Sequence, residues 1–223
     1  MNIKTTLSVL LAGVFSAGLV QAETGVTAEL GSTGVGAHLS VPLQANLNVR
    51  VGANYLNYSY NANTSDVDYD FKMKLRTVDA LLDFFPMNNG FRVSAGLVYN
   101  GNKIDAHGKP AGTGTYTING HTYLATSVGT LDGNVDFRKS APYLGIGWGN
   151  AAAPGKGWGF SSDFGVMFQG SPSTSLKNNH CVAPTQVCTQ LAADIVAENA
   201  KLTDEASDFK LYPVIRFGAS YRF

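Results

Sequence analysis

The end of the chain alternates strictly between two kinds of side chain. From Pro213 onward one set of alternate positions is apolar or aromatic, and the other carries small residues and arginines: Ile215, Phe217, Ala219, Tyr221 and Phe223 against Val214, Arg216, Gly218, Ser220 and Arg222. A period of two predicts a β-strand with one face in an apolar medium. A strand that is apolar outside and charged inside favours a closed barrel in lipid.

The first residues have the pattern of a secretory signal peptide. Residues 1–22 combine a basic start at Lys4, an apolar stretch over 7–20 and a small-x-small ending at Ala22. We predict cleavage after Ala22, which leaves residues 23–223 as one outer-membrane β-barrel domain. A transmembrane helix is the alternative, but the apolar run is short and is interrupted by Gly13, Ser16 and Gly18.

Composition favours an all-β chain without a strong electrostatic field. Removing Lys4 from the 16 basic residues leaves 15 against 16 acidic ones, so we expect no nucleic-acid partner. The 25 glycines, 10 tyrosines and 12 phenylalanines suit about eight strands. A soluble β-sandwich is the rival fold, but it would not need so many outward aromatic residues.

The two cysteines, Cys181 and Cys188, lie in one polar segment. An even pair in an exported protein most simply forms a disulfide. A metal site that includes the neighbouring His180 is the less favoured alternative, because few other ligands are near in sequence.

The alternating segments predict the transmembrane up-and-down antiparallel β-barrel in more detail. Eight strands are assigned at 26–30, 35–41, 47–60, 66–85, 91–100, 131–149, 158–170 and 209–223. One long bent strand is the alternative to the first two. The apolar phase slips near Tyr55 to Tyr58, which predicts a bulge, and it shifts again after Arg76. Connections at Pro42, Pro86 and Asn150 are short, whereas the long ones fall on the other side, as in outer-membrane barrels.

Two long insertions are predicted as external loops. Residues 103–130 contain a hairpin pattern around an Asn119-Gly120 turn, the type I′ signal. Residues 171–208 contain the cysteines and then a helical pattern over 189–206, with Thr189 as its cap. We predict this as the only helix of the mature chain.

A run of charges alternates along the fourth strand. On one face it carries Asp66, Asp68, Asp70, Lys72, Lys74 and Arg76. We predict that these residues face the lumen, with partners on other strands: Arg50, Arg92, Arg216 and Arg222. The favoured interpretation is a salt-bridged interior that fills the barrel. The alternative is a polar path for small charged solutes, whose acidic end attracts cations.

Catalytic, cofactor and metal sites are not predicted. His38 and Ser40 share one strand face, and a histidine can activate a serine hydroxyl, but no acidic partner adjoins them in sequence. His107, His121 and His180 lie in polar loops without the spacing of metal ligands. The chain also has no nucleotide or phosphate motif.

Several stretches resemble small eight-stranded outer-membrane proteins of proteobacteria, most closely the CarO-like group. They are AELGSTGVGA (28–37), INGHTY (118–123), APYLGIGWG (141–149), WGFSSDFGVMFQGSPSTSL (158–176) and YPVIRFGASYRF (212–223). Members of that group are associated with uptake of basic amino acids such as ornithine and with carbapenem susceptibility. The resemblance therefore implies a barrel fold and a solute-uptake role.

The sequence thus predicts a monomeric, non-enzymatic barrel of a bacterial outer membrane. The first functional hypothesis is a narrow channel for small polar or cationic solutes. The alternatives are a non-conducting barrel that acts through its external loops and, less favoured, a lipid A-modifying enzyme. Expected partners are outer-membrane lipid and lipopolysaccharide, and the barrel assembly machinery, which would recognise the C-terminal signal Tyr221 and Phe223.

Overall fold

The computed structural model of the protein describes residues 24–63, 67–87, 89–110 and 114–223. The predicted signal peptide and its cleavage position lie outside the described residues. In the described part the strands are β1 (Gly25–Gly31), β2 (Gly34–Gln44), β3 (Leu47–Asn63), β4 (Val67–Phe84), β5 (Phe91–Asn100), β6 (Lys103–Pro110), β7 (Thr115–Ile118), β8 (His121–Leu124), β9 (Thr130–Asp136), β10 (Ser140–Trp148), β11 (Gly157–Phe168), β12 (Ser173–Asn179) and β13 (Leu211–Arg222). The helices are α1 (Ala125–Val128) and α2 (Thr185–Ala206).

Eight of these strands close into an antiparallel barrel. The hydrogen-bonded order is β4-β3-β2-β1-β13-β11-β10-β5, and β5 returns to β4 to complete the ring. The first and last strands meet in register, with Val26 opposite Tyr221. Because the ring is complete, the barrel region has no unpaired sheet edge. The predicted up-and-down barrel and its strand number are confirmed.

An apolar belt covers the outside of the barrel. Along β10, for example, Leu144, Ile146 and Trp148 are exposed, whereas the alternate residues are buried. Aromatic side chains from neighbouring strands contact each other within this belt, as Trp158 and Phe164 do with Tyr221 and Phe217 of β13. An apolar surface of this extent requires lipid rather than water around it.

Part of the barrel wall continues beyond the belt as an extension sheet. Its strand order is β3-β4-β6-β9-β12, and β6 continues the pairing of β5 with β4 without a change of register. The segment predicted as a loop from Lys103 therefore begins as a strand.

The predicted bulge near Tyr55 to Tyr58 is wrong, and the apolar pattern shifts phase after Arg76 without any bulge in the strand. The β3–β4 pairing runs from Leu47 opposite Phe84 to Asn63 opposite Asp68 without a register shift. The apolar pattern changes phase for another reason. Above the belt the outward face of β4 carries Lys72, Lys74 and Arg76, although the strands continue unchanged. We infer that this part of the face meets water instead of lipid.

The loops at this end form a small folded unit that consists of β7, β8, α1 and α2, and we call it the loop unit. β7 and β8 form the predicted hairpin, and Asn119 and Gly120 have φ values of 49° and 82°, as a type I′ turn requires. A separate apolar core joins the hairpin to both helices and consists of Tyr116, Ile118, Tyr123, Ala125, Val128, Leu191 and Ile195. α2 packs on β12, and the predicted disulfide between Cys181 and Cys188 is confirmed.

The helix prediction needs two corrections. α2 begins at Thr185, so Thr189 lies inside its second turn and does not cap it; its hydroxyl donates to the carbonyl of Thr185 at 2.9 Å. Pro184 precedes the helix, and its fixed φ suits a helix start without a side-chain cap. The short helix α1 was also not predicted. Neither helix is both long and apolar enough to cross a membrane.

Candidate functional site

The interior of the barrel is filled by paired charges. Inward positions on seven strands contribute eight ionisable residues, each 4% exposed or less: Glu29, His38, Arg50, Asp79, Asp83, Arg92, Asp163 and Arg216. We call this set the ionic core. Its strands place the side chains inward because the alternate residues of the same strands form the lipid-facing belt.

Asp163 of β11 is the centre of one half of the ionic core. Arg50 reaches across from β3 and donates to both carboxylate oxygens, at 2.7 and 2.9 Å. Arg92 contacts the same carboxylate at 2.9 Å. Arg50 also pairs with Asp83, at 2.9 Å from Nε to Oδ2, so that it bridges β3, β4 and β11. These bonds cross the lumen instead of following its wall.

Arg216 of β13 is the centre of the other half. Its guanidinium lies 3.1 Å from Glu29 on β1 and 3.0 Å from Asp79 on β4. It is also 3.9 Å from Asp163, which connects the two halves. Arg216 lies over the ring of Tyr143, with 5.7 Å from Cζ to the ring centroid. The lumen is thus bridged from β13 to β4, on the opposite side of the ring.

His38 takes part in this second half as a cation would. Its Nε2 lies 2.8 Å from Asp79 and its Nδ1 lies 3.3 Å from Glu29. An imidazolium can donate from both nitrogens, and the ionic core then contains four cations and four carboxylates. Nε2 is hydrogen-bonded to Asp79 and Nδ1 faces Glu29, and no hydrogen bond joins His38 to Ser40 among the described residues. The His38–Ser40 arrangement therefore does not have the geometry of a nucleophile and its base.

Small residues leave room for these side chains. A Cβ atom at Gly52 would lie 2.1 Å from His38 Cδ2, and one at Gly165 would lie 2.4 Å from Tyr143 Oη. Both glycines lie on inward positions, where the ring of a larger neighbour occupies the space. Their role here is therefore to admit bulky side chains rather than to leave a water-filled passage.

The structure places the predicted lumen residues in two different environments. Arg50, Arg92 and Arg216 lie in the ionic core, and Arg222 is half-buried at the short-turn end. The charges of β4 do not join them. Asp70, Lys72, Lys74 and Arg76 lie on the outward face, which continues as Val78, Ala80, Leu82 and Phe84, so their predicted lumen position is wrong. Asp66 lies outside the described residues, and only the backbone of Asp68 is described.

The real acidic partners were missed by sequence reasoning. They are Glu29, Asp79, Asp83 and Asp163. Each occupies the inward phase of a strand whose outward phase is apolar, and this was the available signal: Asp79 and Asp83 alternate with Val78, Ala80 and Leu82. The charges from Asp66 to Arg76 are more numerous, and they lie at the other end of β4 from Asp79 and Asp83.

The remaining histidines and the C-terminal aromatic pair lie outside the ionic core. His121 lies on β8, with Nδ1 2.9 Å from the carboxylate of Asp194 on α2. His107 pairs with Asp132 on the extension sheet. Across the described ranges, His, Cys, Asp and Glu residues form no group of three or more that could hold a metal ion. Tyr221 and Phe223 contact each other edge to face at the end of β13.

Comparison with solved structures identifies the fold. CarO2 of Acinetobacter baumannii matches with a TM-score of 0.59 and 22% identity, over 91% of this chain and 99% of that one. CarO of the same organism matches with a TM-score of 0.58 and 21% identity, over the same shares of the two chains. This protein shares the fold of these outer-membrane barrels. The predicted resemblance is confirmed for the fold. No protein-family model and no curated protein matches the chain.

Proposed function

We propose that this protein is a non-conducting barrel of the bacterial outer membrane that acts through its extension sheet and loop unit. The observation that carries the proposal is the ionic core, whose charged side chains are buried and paired across the lumen. A solute that crossed the barrel would have to separate these pairs. Breaking a buried ion pair costs about 3–5 kcal/mol, and several pairs share the cross-section here.

The loop unit supports the second part of the proposal. Its hairpin and helix are joined by an apolar core and by Asp194, which is 3% exposed. The carboxylate of Asp194 accepts hydrogen bonds from the Tyr123 hydroxyl, from Asn119 at 3.1 Å and from Gln190 at 3.2 Å. A fixed surface of this kind can present a constant binding face, since little ordering entropy is lost on contact.

The proposed orientation in the membrane rests on the difference between the two ends of the barrel. The turns between β2 and β3, β4 and β5, and β10 and β11 lie at one end, and the extension sheet and loop unit lie at the other. Short periplasmic turns and long external loops are typical of outer-membrane barrels. In the proposed orientation, the loop unit faces the cell exterior.

Solute flux through the refolded protein in liposomes tests the proposal. We expect ornithine, glutamate and an uncharged sugar to cross no faster than in empty liposomes, while a large open porin in matched liposomes conducts all three. Folding is checked in the same sample by the heat-dependent shift in gel mobility. Flux of ornithine above the empty control would instead support the channel hypothesis and refute a closed lumen.

A further inference from the structure

The outward face of the extension sheet contains a groove of about 600 Å³ that is rich in lysine. Strands β4, β6, β9 and β12 line it, and we call it the lysine groove. Its charged residues are Lys72, Lys74, Lys103, Lys109, Lys177, Asp70, Asp105, Asp132 and His107. With His107 neutral, the lining contains five lysines and three aspartates, and Asp136, opposite Lys103 on β9, adds a fourth carboxylate at the edge of the groove. The groove therefore keeps a small surplus of positive charge.

The internal ion pairs do not use up this charge. Asp105 serves two lysines at once, since Lys74 and Lys103 each place Nζ 3.0 Å from one of its oxygens. Lys74 and Lys103 are also directly opposite each other in the β4–β6 pairing. Like charges in that position are unfavourable, and the single carboxylate of Asp105 is the only negative group within 4 Å of either lysine in the described chain, so one negative charge serves two positive ones. Lys72 and Lys177 make no ion pair with any residue of the described chain.

The groove lies directly beyond the apolar belt on the same face of the sheet. Tyr55, which is 50% exposed, pairs with Arg76, and the Arg76 guanidinium lies over its ring with 5.4 Å from Cζ to the centroid. With increasing distance from the belt, Lys74 lies two residues before Arg76 on β4, and Lys72 lies two residues before Lys74. The face thus presents an apolar belt, then an aromatic ring and then cations. A lipid leaflet has the matching order of acyl chains, interface and charged headgroups.

From this continuity and charge we propose that the lysine groove binds the phosphate groups of an anionic lipid in the surrounding outer leaflet. Lysine ammonium groups bind phosphate as point charges, and the groove supplies several of them beside one lipid-facing wall. The inference rests on the proposed membrane location. It is independent of whether the barrel conducts.

The test uses the full mature chain, refolded into phosphatidylcholine nanodiscs that also contain either lipid A or its dephosphorylated form. Native mass spectrometry counts the lipid A molecules that remain bound to the protein. We expect the phosphorylated form to be retained preferentially. Lys72→Gln with Lys103→Gln should lower its apparent affinity about 25-fold at low salt, since each lysine near a membrane surface contributes about a fivefold effect.

The double variant keeps the Lys74–Asp105 pair, so its fold should persist. Its matched control is Lys156→Gln with Lys210→Gln, the same charge change at two exposed positions away from the groove; this variant should retain lipid like the wild type. Equal retention of the two forms of lipid A, or equal loss in both variants, would overturn the proposal. Failure of the chain to insert at all would instead count against the membrane location.

Discussion

Replacing Asp163 by asparagine tests how much the ionic core stabilises the barrel. The substitution preserves the shape of the side chain, so it leaves no cavity. It removes the negative charge that Arg50 and Arg92 contact at 2.7 to 2.9 Å. The three arginines of the core would then face one fewer carboxylate, with side chains that are 3% exposed.

Two estimates of the cost agree. Removing one partner of a buried ion pair costs about 3–5 kcal/mol, because the remaining charge is left without compensation. Hydrogen bonds to charged groups contribute about 1.5–3 kcal/mol each, and at least two are weakened here. We therefore expect a loss of about 3–5 kcal/mol in the free energy of unfolding, which is about two to four orders of magnitude in the folded-to-unfolded ratio.

The assay is urea unfolding in lipid vesicles, followed by tryptophan fluorescence. The chain has two tryptophans, and both Trp148 and Trp158 lie exposed in the apolar belt, so their emission reports removal from lipid. Asp132→Asn is the control, because its pair with His107 is partly exposed and should change stability by about 1 kcal/mol or less. A loss below about 1 kcal/mol for Asp163→Asn would contradict the reasoning, since it would mean that water compensates the arginines.

Three further perturbations follow from the structure. The hydrogen bond from Tyr123 lowers the pKa of Asp194 to about 2. The ionised carboxylate therefore stabilises the loop unit fully above the unfolded pKa of about 3.9, and this stabilisation is lost as pH falls towards 2. Hydrogen exchange of the β7–β8 hairpin should accelerate over that range, and Asp194→Asn should remove this pH dependence. Reducing the Cys181–Cys188 disulfide, with its sequence separation of 7, should destabilise the loop unit by about 2.5 kcal/mol; protease cleavage near α2 should increase while the barrel keeps its gel mobility, and loss of the barrel itself would contradict a local role. Gly52→Ala should cost about 1–3 kcal/mol through its clash with His38, measured by urea unfolding, whereas Gly133→Ala, whose Cβ would meet nothing nearer than 3.6 Å, should be tolerated; equal effects would refute the packing argument.

The barrel could be predicted from the amino-acid sequence alone. Alternation along segments such as β10 and β13 marks one apolar and one polar face, and this property is local to each strand. The short turns at one end, the Asn119-Gly120 hairpin and the cysteine pair were also readable, because each depends on neighbours in the chain. These features are short-range, so a single sequence is sufficient to predict them.

The pairing of the buried charges, by contrast, depends on how the distant strands come together. Arg50 and Asp163 are 113 positions apart in the sequence, and Arg216 and Asp79 are 137 apart, so no local pattern pairs them. The sequence also does not show which part of each strand is surrounded by lipid and which part by water. Along β4 the charges from Asp70 to Arg76 and the apolar residues from Val78 to Phe84 share one face, because the strand continues without a register shift. We infer that their polarity differs because this face passes from water into lipid. Side-chain polarity follows the medium, and closure of the barrel and its extension together determine the medium.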